Sequence, residues 1–335
     1  MHQRRALGLF SGGLDSILAA KVMQNQGIEV LAINFTSPFF GCSPTLDGEP
    51  VAARYAARYN IPFRSIPLGE EFLEMLRHPR HGYGSALNPC IDCKTFMLRC
   101  ARELMAEYQA DFVFTGEVVG QRPMSQRLDT LNLINRECGL GGLLLRPLSA
   151  KYLKTTIPEA EGWVKREQLP AIRGRGRKDQ MRLAAELGVD EYPQPGGGCL
   201  LAEESYMPKV KDLLDHLCQP QVRDFNLLRT GRHFRLSDAC KLVVGRDGAD
   251  NEHILASIGQ GETTLRWAEG GGPLVLLVGE PDQTAIQLAG RILLRYTKAP
   301  KGEPGRLSVQ KDGRRSELTV VNDLQEPELD SLRIV

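Results

Sequence analysis

Six residues, Ser11-Gly12-Gly13-Leu14-Asp15-Ser16, combine two adjacent glycines, two hydroxyls and one carboxylate. Glycines let backbone N–H groups approach an anion closely, and at the start of a helix those groups carry positive potential. The stretch therefore reads as a phosphate site. It is not a Walker A loop, which would need a Lys before its Ser. The competing account is an ordinary glycine turn capping a helix, with Asp15 as a first-turn anion. A second chemistry lies in Asn88-Pro89-Cys90-Ile91-Asp92-Cys93 and in Pro195-Gly196-Gly197-Gly198-Cys199. Two thiols spaced by two residues can reach one metal centre, and the glycines would let a third approach it. A C-x-x-C alone fits half a zinc site, a redox dithiol or a cluster anchor. The other cysteines, Cys42, Cys100, Cys138, Cys218 and Cys240, are expected to be buried small hydrophobes.

The elements that must position these groups alternate between strand and helix over the first 200 residues. The patterning predicts strands at 6–10, 29–35, 62–67 and 111–115, and helices at 14–26, 49–60 and 94–108. Such alternation indicates a doubly wound parallel sheet covered on both faces, with ligands at the carboxyl ends of its strands. Composition changes at Pro193–Gly198, a helix is predicted at 207–218, and strands are predicted at 234–236, 241–245, 264–267 and 274–278, with a helix at 282–295. The expected organisation is an α/β domain at 1–203, a helical linker at 204–222, a smaller α+β domain at 223–320 and a tail at 321–335. At 335 residues, 42% hydrophobic and 25% charged, the chain can bury a substantial core. With 42 Lys+Arg against 41 Asp+Glu, a nucleic-acid partner depends on where the charge lies. Eight cysteines are too few for a secreted disulfide scaffold, and neither a signal h-region nor a long apolar run is present. The expectation is a cytoplasmic protein without a membrane partner.

Ser11–Ser16 resembles the SGGxDS loop of the PP-loop ATP pyrophosphatases, of adenine nucleotide alpha hydrolase-like fold, which split ATP between its α- and β-phosphates and transfer AMP to an oxygen. That resemblance implies ATP with Mg²⁺, and a role for Asp15 in handling Mg²⁺ or orienting pyrophosphate. The NPCxxC…GGGC pattern is similar to that of PP-loop tRNA thiolases, including those that make 2-thiouridine. In dithiol versions the first C-x-x-C position is often Asp, whereas this chain has Cys90. Cys90, Cys93 and Cys199 without a fourth ligand suit a 4Fe–4S cluster with one iron open to sulfide. A persulfide pair and structural zinc remain the alternatives. Thr115–Gln126, Leu131–Ile134 and Leu145–Leu148 resemble the TGExxGQxxSQ…NLxxI…RPL series of the tRNA 4-thiouridine synthetase family, over residues 6–200.

The resemblance implies ATP contacts from Ser11, Gly12, Gly13, Asp15, Ser16, Asn34, Gly116 and Gln121, with Ser125 beside the target base. It also implies a catalytic Lys154 as partner for phosphate or a developing oxyanion. For Glu117 and Gln121 the competing account is solvated loop chemistry. Family members carry an N-terminal THUMP module, some also a rhodanese domain, and neither is found in this sequence. RNA capture and delivery of sulfur, from sulfide or a persulfide donor such as a cysteine desulfurase, are expected to work otherwise.

Leu294–Gly305 resembles the end of the NFACT-R RNA-binding domain, with its KxPKGxxPG run. Residues 291–315 hold eight Arg/Lys against two acids, among them Lys298, Lys301 and Arg306. Residues 165–182 hold seven against two, around Arg173, Arg175 and Arg177. Either run could neutralise phosphates or be a solvated face. Together these resemblances imply an ATP-dependent tRNA sulfurtransferase that adenylates a uridine and replaces its oxygen with sulfur, making 4-thiouridine at position 8. The alternatives are a tRNA 2-thiouridine synthase, a PP-loop ligase or amidotransferase acting on a small molecule, and an RNA-binding protein with a degenerate ATPase.

Overall fold

The computed structural model describes residues 3–41, 49–194 and 198–335. Its contacts divide the chain into two units, Met1–Glu203 and Glu204–Val335. In the first, β1 (Arg5–Leu9), α1 (Leu14–Asn25), β2 (Glu29–Thr36), α2 (Val51–Arg58), β3 (Phe63–Pro67), α3 (Glu70–Arg77) and α4 (Cys90–Glu107) follow in order. Then come β4 (Phe112–Thr115), α5 (Leu128–Glu137), β5 (Leu144–Leu145), α6 (Ile157–Ala160) and α7 (Lys178–Glu186).

The five strands form one parallel sheet, ordered β3-β2-β1-β4-β5. Alternation puts Ala6, Phe112 and Phe114 in a core with α1, while Leu7, Ile33 and Val113 are buried on the opposite face. There α4 packs on β1 and β4 and against α3 and α5. Strand order reverses at β1, so the loops leaving β1 and β4 flank the crevice where such sheets bind ligands. One predicted boundary moves materially: α4 begins at Cys90 rather than residue 94. The C-x-x-C is thus the helix's first turn, with Pro89 as N-cap.

The second unit runs α8 (Met207–His216), α9 (Val222–Leu227), β6 (Arg232–Ser237), β7 (Cys240–Val244), α10 (Gly248–Ala256), β8 (Thr263–Trp267) and β9 (Val275–Gly279). It ends with α11 (Gln283–Arg295), β10 (Pro304–Lys311), β11 (Arg314–Val321) and α12 (Glu326–Leu332). Six antiparallel strands are ordered β11-β10-β8-β9-β7-β6. Leu242, Val244, Leu277 and Leu307 pack with α11 on one face, and Val243 and Leu276 with Leu227 and Ile254 on the other.

Two expected boundaries are corrected here. The segment expected as a helical linker, 204–222, does carry helix α8 but belongs to the second unit, where Asp212 accepts hydrogen bonds from Arg235 at 2.9 and 2.7 Å and from Lys241 at 2.9 Å. The segment 321–335 is not a tail. Its acids pair with α11, Asp323 and Glu328 with Arg291 and Glu326 with Arg295, and Leu329 lies in the core. The Ile334 N–H donates to the His233 carbonyl at 3.0 Å, covering part of edge strand β6. Among the described residues no helix is long and apolar enough to cross a membrane.

Leu329 is 1% exposed, so Leu329→Ala should lower the unfolding free energy of the second unit by about 2–5 kcal/mol. Chemical denaturation followed by tryptophan fluorescence checks this; an unchanged midpoint would restore the tail.

Candidate functional site

The phosphate loop is closed by contacts that leave little freedom. Asn34, at the end of β2, donates from Nδ2 to the Phe10 carbonyl at 2.8 Å, while its Oδ1 is buried without a partner. Gly12 has φ +75°, and a Cβ there would fall 2.7 Å from the Ala52 Cα, so only glycine fits. Ser16 Oγ donates to the Gly13 carbonyl at 2.8 Å, and Ser11 Oγ accepts from the Gly13 N–H at 3.4 Å. From the neighbouring strand end, Gly116 touches the start of α1: a Cβ would lie 2.5 Å from the Asp15 carbonyl oxygen.

Asp15 is held by an amide chain. Gln121 Nε2 donates to Asp15 Oδ2 at 2.7 Å, and Gln180 Nε2 donates to Gln121 Oε1 at 3.3 Å. Asp15 Oδ1 is buried and has no partner among the described residues. Burial raises the Asp15 carboxyl above its ordinary value, partly offset by Gln121 and by the charges of Arg177 and Arg122. An orphaned carboxylate oxygen in the first turn of α1 fits a divalent cation such as Mg²⁺.

The loop that follows β4 is anchored from below. Glu117 and Arg146 form a buried pair at 2.9 Å, completed by Thr115 Oγ1 on Glu117 at 3.0 Å and Asn135 Oδ1 on Arg146 at 2.6 Å. Burial works to raise the Glu117 carboxyl, but Arg146 and Lys94 together hold it below the ordinary carboxylate value. Solvated loop chemistry is thereby excluded for Glu117, which is 4% exposed, and for Gln121, whose amide is engaged at both ends. Val119 donates to Ser149 Oγ at 3.0 Å and accepts from the Gly174 N–H at 2.7 Å, tying in the basic run that starts at Arg173.

The cysteines meet the far side of this loop. Asn88 Nδ2 donates to Cys90 Sγ at 3.2 Å and lies 3.9 Å from Met124 Sδ. Asp92 accepts the N–H groups of Arg80 and His81, fixing the preceding loop on the helix start. Leu200 N–H donates to the Phe39 carbonyl at 2.9 Å, which places Cys199. Loss of water pushes the Cys93 thiol up to about 12; Lys94 pulls it down, and Cys199 and Cys90 raise it further. The Cys199 thiol is pushed up to about 11 by burial, against N–H donation from Leu201 and Ala202 and the charge of Arg122. The three thiols are therefore electrostatic neighbours. Among the described residues no three His, Cys, Asp or Glu converge as ligands of a single metal ion would. A multi-iron cluster has a different requirement, since each thiolate takes its own iron, and N–H donors to sulfur are suited to it.

The remaining expectations divide. Cys138 and Cys240 are buried and Cys100 half-buried, but Cys218 is exposed, against expectation. Cys42, Gly196 and Gly197 lie outside the described residues. Lys154 is exposed, and none of the hydrogen bonds or ion pairs of the described residues joins it to the loop or the cysteines. Ser125 is buried within the 116–126 loop. Arg173 and Arg175 are exposed, Arg173 lying over the Tyr152 ring at 4.9 Å, whereas Arg177 turns its charge toward Asp15. In the second unit Lys298 and Lys301 are exposed, while Arg306 is paired with Glu269 at 3.0 Å. Sequence reasoning missed Asn88, Lys94, Arg122 and Gln180 as site residues. Asn88 and Lys94 flank the C-x-x-C and were there to be found; Gln180 carries no local signal.

Residues 1–160 match the family described as Thiamine biosynthesis protein (ThiI), and residues 231–333 match the NFACT protein RNA binding domain. The tRNA sulfurtransferase of Marinobacter nauticus is 31% identical over 146 residues, 42% of this chain and 28% of that protein. The tRNA-specific 2-thiouridylase MnmA of Trichlorobacter lovleyi is 33% identical over 123 residues, 33% of each chain. The chain spans 28–38% of the length of the curated relatives it matches. A solved 4-thiouridine synthetase–RNA complex with bound ATP aligns at 22% identity and TM-score 0.35, over 56% of this chain and 52% of that one. That similarity is too weak to bear on the fold, which rests on the strand order.

Arg146→Met would leave Glu117 buried and unpaired and should cost the first unit about 3–5 kcal/mol. Because the pair holds Glu117's carboxyl below its unfolded value, its contribution is present at neutral pH and lost as pH falls through the depressed value. Denaturation midpoints of both proteins should therefore converge in acid; a deficit independent of pH would show that Arg146 acts by packing alone.

Proposed function

We propose, from a ThiI-type nucleotide unit joined to an NFACT-type RNA-binding unit, that the chain is an ATP-dependent tRNA sulfurtransferase that replaces a uridine oxygen with sulfur. The observation that carries this reading is the 116–126 loop, which grips the phosphate-loop Asp15 through Gln121 and meets the Cys90 partner Asn88 through Met124. A small-molecule PP-loop ligase would need the first contact and not the second.

The N–H groups and hydroxyls of Ser11–Ser16 would hold the ATP phosphates, and Asp15, whose Oδ1 is free, would be the ligand offered to Mg²⁺. A uridine leaves its stack, and its carbonyl oxygen attacks the α-phosphorus as pyrophosphate departs. The base then carries AMP on that oxygen. Hydrosulfide attacks the same carbon, and AMP leaves with the oxygen; a persulfide donor of the cysteine desulfurase type would serve only with a thiol that reduces its outer sulfur to hydrosulfide and is itself oxidised to a disulfide. One uridine, one ATP and one hydrosulfide give one thiouridine, AMP and pyrophosphate, with no net redox change. Cys90, Cys93 and Cys199 would hold a 4Fe–4S cluster, which when bound offers an iron with an open position for sulfide. Lys94 and Arg122 supply positive charge beside these thiols. RNA is held by the exposed cations of the second unit, Lys298 and Lys301 first, and by Arg173 and Arg175. The expected setting is the cytoplasm, and the preferred product is 4-thiouridine over 2-thiouridine.

Nucleoside mass spectrometry of tRNA tests this. Cells lacking the gene should lose 4-thiouridine and recover it with the wild-type chain, but not with Asp15→Ala, Cys90→Ala, Cys93→Ala or Cys199→Ala. Loss of 2-thiouridine instead would select the second product, and unchanged tRNA would return the small-molecule ligase. For RNA, Lys298→Ala with Lys301→Ala should lower the slope of log affinity against log salt by roughly 2. Arg306→Ala should matter less, since Glu269 already neutralises it. An unchanged slope would make the lysine run solvated surface.

A further inference from the structure

The residue at the far end of the Asp15 amide chain has no part in the mechanism above. We propose that Gln180 is a positioning residue that, acting through Gln121, holds the Asp15 carboxylate with one oxygen free for the metal–nucleotide. The inference rests on the phosphate-site reading of Ser11–Ser16.

A primary amide has a donor end and an acceptor end, and its neighbours decide which faces where. Gln180 Nε2 donates to Gln121 Oε1, so Gln121 must turn its NH₂ toward Asp15. With the opposite orientation, the Gln121 oxygen would face the carboxylate and repel it. One oxygen of Asp15 is thereby taken by Gln121 and the other, Oδ1, is left bare. Gln180 is 0% exposed on α7, a helix packed against α1 with Ala184 in the core, so its amide has no room to swing.

The placement is costly. Gln180 Oε1 is itself buried without a partner, a desolvation penalty that an apolar side chain of the same length would avoid. A residue present only to fill space would not need that amide. Its donor end does what an apolar side chain cannot, orienting the group that touches Asp15.

The test uses the full chain with Gln180→Met, Gln121→Leu and both changes together. ATP binding is measured by calorimetry across a Mg²⁺ titration, with AMP formation and thermal melting alongside. Gln180→Met should weaken Mg²⁺-dependent ATP binding about tenfold, the scale of one hydrogen bond to a charged group, and leave metal-free nucleotide binding and melting unchanged. If Gln180 works through Gln121, the double variant loses no more than Gln121→Leu alone. Additive losses, or a Mg²⁺ dependence equal to wild type, would overturn the proposal and make Gln180 a packing residue. Should Gln180→Met melt early, Gln180→Asn provides the second arm: its shorter amide keeps the buried polarity yet cannot reach Gln121, so metal dependence must still weaken. A wild-type chain that binds ATP with Mg²⁺ but does not thiolate tRNA sinks only the functional reading; one that binds no ATP sinks both.

Discussion

Position 116 has room for a hydrogen atom and nothing larger, because any side chain would enter the backbone of Asp15 and Ser16. The contact joins the end of β4 to the start of α1, and the geometry of the site follows from it. β1 and β4 are neighbours in a parallel sheet, so their loops leave it at the same end. Without Gly116 the two loops would be separated by at least a methyl group. With it, Gln121 stands five residues along within 2.7 Å of Asp15, and Met124 three further on beside Asn88. Asp15 and the Cys90 partner Asn88 are thus brought to one loop by a single missing Cβ.

Much of this unit is legible in the sequence because its strands are short apolar runs between glycines and its helices are periodic. Asp15 and the cysteines are legible because their spacing is itself the chemistry. Where the reading fails, the cause is a contact distant in sequence. The helix is expected from residue 94, yet proline is well tolerated at a helix N-terminus, and the Asp92 carboxylate in the first turn accepts the N–H groups of Arg80 and His81. For Glu117 a solvated loop acid stays a competing account until Arg146, twenty-nine residues on, is found against it. Gln180 is one polar residue among many in a charged helix, and only the folded chain brings it to Gln121.

The second unit shows the same limit from the charge side. Its hairpin β10–β11 lies in the basic run that reads, from sequence, as a phosphate-neutralising patch or a solvated face. Gly305, Leu307 and Val309 alternate inward while Arg306, Gln310 and the turn cations face water, the pattern of a half-buried antiparallel strand. Acids of the last fifteen residues look like a solvated tail because their partners, Arg291 and Arg295, lie some thirty residues earlier on α11. Of the eight cations that drew attention to this region, Arg291, Arg295 and Arg306 are spent on ion pairs. A raw count of charges therefore overstates what is left for phosphate, and the exposed, unpaired lysines are the better guide.

The electrostatics of the first unit carry the final step. Arg122 influences both Asp15 and Cys199, and Lys94 influences both Cys93 and Glu117. Glu117 is already bonded to Arg146, so the Lys94 charge is not fully consumed there. Under the proposed reaction, cations beside the phosphate loop and the thiols would offset charge on the nucleotide and on an anionic sulfur, Lys94 from a half-buried position and Arg122 from an exposed one.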